Sequence, residues 1–141
     1  MSERPRVFLL SPAKAGGPRY SMLLREQASF DLAVKLRQGT ATIGQIYTFI
    51  SGLYFRGKMA YAEVFRAAPP GVPPRLVIVP GAGLVPPETP VAMEQLEAIA
   101  TVPVHEDNRA YRDALLRAAE LLDRHAGPAC SYVLLGSVAS A

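Results

Sequence analysis

Three short apolar runs, RVFLLS (6–11), RLVIVP (75–80) and SYVLLG (131–136), constrain this chain more than any other feature. Each is rich in Val, Leu, Ile or aromatic residues, shows no polar alternation, and stops at Gly, Ser or Pro. A strand with one wet face alternates, whereas a strand that reads apolar throughout is covered on both faces. The stretches between the runs carry helical spacing, so the strands should be parallel and joined by helical crossovers. The pattern predicts an α/β fold: a small parallel sheet of at least three strands in a single domain, 1–141. A chain of 141 residues can bury one sizeable core.

The first connection is a long helical insertion, 20–68. In SFDLAVKLRQG, Phe30, Leu32, Ala33 and Leu36 share a stripe, and Gly39 is a C-terminal glycine. In TIGQIYTFISGLYF, Ile43, Ile46, Tyr47 and Ile50 follow helical spacing behind Thr42 as N-cap, with a break at Gly52. Met59, Ala62 and Phe65 mark a third helical face, which the prolines at 69–70 stop. The second connection holds a short helix near 91–100 and a longer one over 109–125. Asp107 or Asn108 caps the longer helix, and Gly127 ends it. The third strand runs into GSVASA with no helix to cover it. That predicts either a fragment truncated after its third strand or a sheet edge finished by a partner.

Cys130 is the only cysteine, which excludes an intrachain disulfide and points to a reducing cytoplasm. It forms no zinc-type spacing with His105 and His125, so no metal and no cofactor are expected. No stretch approaches the roughly 18–20 apolar residues of a membrane span. The formal net charge is +3, and the basic excess lies in the first half of the chain, 1–68, suggesting an anionic partner on that side.

In an open parallel sheet, ligands bind outside the carboxyl ends of the strands. The loops expected there are SPAKAGG (11–17), PGAGLVPPET (80–89) and GSVASA (136–141). They offer Ser11 and Ser137 as hydroxyls and Lys14 as a point charge. Gly81, Gly83 and Gly136 would allow close backbone approach. Glu88 is the carboxylate in these loops and hence the candidate general base. The GAG at 81–83 lacks the continuation of a dinucleotide fingerprint. The segment YFRGKMAY (54–61) interleaves Tyr54 and Phe55 with Arg56 and Lys58, a composition that suits single-stranded nucleic acid or a nucleobase.

FLLSPAKAGG resembles the opening strand and loop of the YaaA-type peroxide-stress proteins, and YFRGKMAYAEVF is similar to that family's mid-chain segment. RLVIVPGAGLVPPETPV resembles its next strand and turn, and also a domain of archaeosine-type tRNA-guanine transglycosylases. The resemblance reaches Ser11, Pro12, Lys14, Arg56, Gly57, Gly83 and Leu84. It implies an α/β fold and an association with DNA or RNA. The chain departs from the family in its shortness and in lacking a clear helix-hairpin-helix. The expected function is therefore a nucleotide- or nucleic-acid-binding module with its ligand at the carboxyl rim. The alternatives are an enzyme acting on a nucleobase or nucleoside, with Glu88 as base, and an interaction subunit that completes its sheet with a partner. Whether the chain is catalytic stays open at this level.

Overall fold

Strand β1 (Arg6–Leu10) is the centre of the sheet, flanked by two parallel neighbours that come from far along the chain. The computed structural model describes residues 4–12, 17–51, 53–102 and 107–136. After β1 come helices α1 (Pro18–Leu24) and α2 (Asp31–Gln38), strand β2 (Ala41–Thr42), and helices α3 (Ile43–Ser51) and α4 (Leu53–Val64). Then follow β3 (Arg75–Val79), β4 (Gly83–Val85), β5 (Pro90–Val91), α5 (Met93–Ala100), α6 (Arg109–Ala126) and β6 (Ser131–Leu135). The main sheet has the order β4-β3-β1-β6. Leu9 pairs with Leu76 on one side and with Leu134 on the other, both parallel.

The expected α/β architecture is the observed one, and side-chain alternation along β1 explains its layers. Phe8 and Leu10 point to a core shared with Leu23, Leu36, Ile46, Tyr47, Phe55 and Leu96, which come from the helices before β3 and from α5. Val7 and Leu76 point the other way, to a smaller core closed by Leu122 of α6 and Cys130. Helices thus cover both faces of β1 and β3, the condition that lets those strands read apolar throughout. Strand β6, expected to be covered on both faces, leaves Tyr132 and Leu134 exposed because it is the edge strand.

The caps follow the sequence. Gly39 ends α2 in the left-handed region at φ +74°. Thr42 Oγ1 accepts from Gln45 N at 3.2 Å while Gln45 Oε1 accepts from Thr42 N at 3.0 Å, a reciprocal box at the start of α3. Asn108 Oδ1 accepts from Tyr111 N at 3.0 Å and starts α6. The expected break at Gly52 falls outside the described residues, between the end of α3 and the start of α4.

One expectation needs correction. The stretch 80–89 is not a single loop over the carboxyl rim but the bend and return strand of a hairpin, with β4 antiparallel to β3. Pro80 and Gly81 sit at the central positions of a turn closed by Ala82 N donating to Val79 O at 3.0 Å. Pro before a glycine at φ +84° is the chemistry of a type II turn. Gly83 then lets α6 lie on the hairpin, since a Cβ there would come within 2.8 Å of Ala114 O and of Ala118 Cβ. Beyond β4, β5 pairs with β2 in a small antiparallel ribbon. Thr89 O and Pro87 O accept from Ile43 N and Gly44 N, each at 2.9 Å, satisfying donors that a helix start leaves free.

Candidate functional site

The chain leaves β1 for β3 on one side and returns as β6 on the other. The carboxyl ends of β1 and β6 therefore flank the point where strand order reverses, the place where open α/β sheets bind ligands. Ser11 follows β1 there, and Gly136 follows β6. Ser11 N donates to Leu135 O at 3.0 Å, holding the two strand ends together. Gly136 has φ +143°, and a Cβ on it would overlap Ser11 Oγ. Only glycine leaves that hydroxyl room.

Helix α4 delivers the charge. It runs antiparallel to β1, as its contacts show in order. Phe65 O accepts from Arg6 Nε at 2.8 Å, the Tyr61 ring meets the Phe8 ring edge-on at 5.7 Å, and Lys58 reaches Ser11. Positions 58, 61 and 65 share one helix face. Lys58 Nζ donates to Ser11 Oγ at 2.9 Å and to Ser11 O at 3.2 Å, and sits 5.3 Å from the centre of the Phe55 ring. The side chain is half-buried, and desolvation pushes its ammonium below the ordinary lysine range. An ammonium has three donors, so one remains for a ligand after both Ser11 contacts.

The structure thus joins residues that the sequence put in separate groups. Ser11 and Gly136 belonged to the rim loops and Lys58 to the aromatic-basic segment, yet they converge. The pairing of Tyr54 with Phe55 as stacking rings needs correction. Tyr54 is 83% exposed, whereas Phe55 is 0% exposed and packs edge-on against Tyr47 at 5.4 Å. A ring enclosed in the core offers no face to a base. Arg56 is exposed and makes no hydrogen bond or ion pair among the described residues.

Other expected site residues lie elsewhere. Lys14 and Ser137 fall outside the described residues. Gly81 and Gly83 build the hairpin, and the space beside Gly83 is filled by α6. Glu88 is carried back along β3 by the return strand, so it sits by the first residue of β3 rather than at its carboxyl end. Its Oε1 accepts from Arg75 Nη2 at 3.0 Å, and Arg75 Nη1 donates to Met59 O at 3.0 Å. This pair lines an open cleft of about 590 Å³ together with Thr48, Phe49, Met59 and Pro87. The sequence hardly signals that cleft, because its walls come from segments far apart in the chain, at 42–49, 59, 75 and 87–88.

Among the described residues no group of His, Cys, Asp and Glu is placed to hold a metal ion. No described helix is long and apolar enough to cross a membrane. Comparison with protein-family models, with curated proteins and with solved structures gives no match.

Proposed function

We propose that this chain is a nucleotide- or nucleic-acid-binding α/β module whose ligand lies across the carboxyl ends of β1 and β6. The observation that carries this reading is the position of Lys58: a half-buried cation fixed on Ser11 at the reversal of strand order. Arg56, two positions along α4 and off the Lys58 face, adds an exposed charge with no partner among the described residues, and Tyr54, one turn before Lys58, offers an open ring. A phosphate would meet the spare Lys58 proton, while a base would stack on Tyr54, which shares the Lys58 face of α4. The resemblance of SPAKAGG and YFRGKMAY to a DNA- and RNA-associated family supports the same ligand class.

The test is fluorescence anisotropy with a labelled single-stranded oligonucleotide, and competition by a mononucleotide, over a series of salt concentrations. Binding should weaken steeply as salt rises, and Arg56→Ala with Lys58→Ala should lower both affinity and slope. Absence of binding at low salt would refute the reading.

A second reading, an interaction subunit, is supported by β6. Its outer edge has no strand partner among the described residues, and Tyr132 and Leu134 are 38% and 44% exposed. Such an edge is a template for strand addition.

A further inference from the structure

We propose that Ser11 and Lys58 form a nucleophile–base pair that takes an acyl group from an ester onto Ser11 Oγ and passes it to water. The inference rests on the carboxyl rim being the ligand site, and it adds a reaction to what is bound there.

The geometry is that of an activated serine. Lys58 Nζ lies 2.9 Å from Ser11 Oγ, within reach for direct proton transfer. The second contact, to Ser11 O at 3.2 Å, orients the amine. A neutral amine has two N–H groups and one lone pair. With one N–H on the carbonyl oxygen, the lone pair can face the hydroxyl proton. A lysine serves as base only when it can lose its charge: the Ser11 oxygens and the Phe55 ring hold the ammonium in place, while desolvation works against the charge. Among the described residues Nζ meets Ser11 and the Phe55 ring, and no carboxylate on α4, β1 or β6 pairs with it. Desolvation is the cause of its lowered pKa. Ser11 Oγ has no other hydrogen-bond partner among the described residues, and no side chain at Gly136 occupies its place.

In the first step the Ser11 Oγ–carbon bond forms as the oxygen adds to the ester carbonyl, and the hydroxyl proton moves to Lys58 Nζ. The ammonium so made faces the oxyanion with its remaining N–H. Collapse breaks the bond to the leaving alkoxide, which takes the proton from Lys58. Water then adds to the acyl-serine, again giving its proton to Lys58. Release of the carboxylic acid returns that proton to Ser11 Oγ. Atoms and charge balance without a metal or redox partner. The substrate class is a carboxylic ester whose carbonyl reaches Ser11 Oγ at the carboxyl rim.

The experiment uses the full chain and two probes, a fluorophosphonate read by intact mass and peptide mapping, and p-nitrophenyl acetate read by absorbance. Labelling is expected at Ser11, absent in Ser11→Ala, and slowed by about a hundredfold or more in Lys58→Met. Its rate should rise with pH through a midpoint below 10.5, the ordinary lysine value, and that midpoint should vanish in Lys58→Met. No label on Ser11, or equal rates with and without Lys58, overturns the proposal. Should Lys58→Met not fold, Ser11→Cys keeps the pair. Its thiol should react with iodoacetamide at a midpoint below the usual value of about 8.5, and an unshifted midpoint likewise overturns the proposal. Oligonucleotide binding by Ser11→Ala separates the two readings. Retained binding without labelling of the native protein refutes the reaction and leaves the binding. Labelling without salt-dependent binding refutes the binding module.

Discussion

Gly136 and Ser11 share one volume at the end of the sheet, so that any side chain on the glycine would take the place of the serine hydroxyl. Gly136→Ala should therefore cost about 1–3 kcal/mol, from a strained φ and an overfilled site. Ser11→Gly in the same chain removes the overlap but not the strained φ. Denaturant melts of the two single variants and the double variant should show non-additivity of about 0.5–3 kcal/mol. Simple addition would mean that the two residues do not compete for space.

Tyr54 and Phe55 are adjacent in sequence and opposite in role. Phe55→Ala should destabilise the protein by about 3–5 kcal/mol, as truncation of a buried ring does. Tyr54→Ala should leave stability within about 0.5 kcal/mol and weaken oligonucleotide binding by about 1–3 kcal/mol if a base stacks there. Thermal melts and anisotropy on the same samples distinguish the two residues.

Arg75 and Glu88 should respond unequally. The Arg75 side chain is 18% exposed and ties both Met59 O and Glu88, whereas Glu88 is 69% exposed. Glu88→Ala loses an ion pair worth about 0–1 kcal/mol. Arg75→Ala also removes its bond to the Met59 carbonyl, which keeps its helical partner, and should cost about 0.5–1.5 kcal/mol more. Equal costs in urea melts would show that the carboxylate contributes more than its exposure implies.

Tyr132 gives a pH prediction with a definite sign. Its hydroxyl donates to Asp123 Oδ1 at 2.9 Å, and its pKa is pushed up to about 12, first by desolvation and then by Asp123. The neutral phenol is the form that the fold favours. Its contribution is complete below the unfolded value of 10.0 and is lost as pH rises from there through about 12. Ultraviolet titration at 295 nm should show this late phenol, and Asp123→Ala should bring it earlier. An unchanged curve in that variant would refute the contact.

Strands β1, β3 and β6, the caps at Thr42 and Asn108 and the helix-ending Gly39 were legible because each depends on local chemistry or a continuous run. The hairpin return at 83–85 was not, since three residues after a proline-glycine turn look like loop until β3 is there to pair with them. That omission misplaced Glu88. Residue types alone also could not separate Phe55 from Tyr54, because which ring turns inward depends on the position of α4 over β1. Ser11 and Lys58 were each recognised, but their meeting spans 47 positions and follows from topology rather than spacing.

The order of strands also sets when the site comes into being. Among the described strands β1 is synthesised before the others, and its pairings join Arg6 to Ser131 and Leu10 to Leu135. Such long-range closure is entropically costly and slow compared with helix formation. On a growing chain the helices of 18–64 can form early, while one edge of β1 stays without its partner strand until residues 131–135 emerge. Ser11 gains its neighbour Gly136 only then. A polypeptide interrupted between residues 65 and 130 would hold Lys58 and Ser11 but lack the β6 side of the rim, so the proposed ligand site is completed only when β6 pairs with β1.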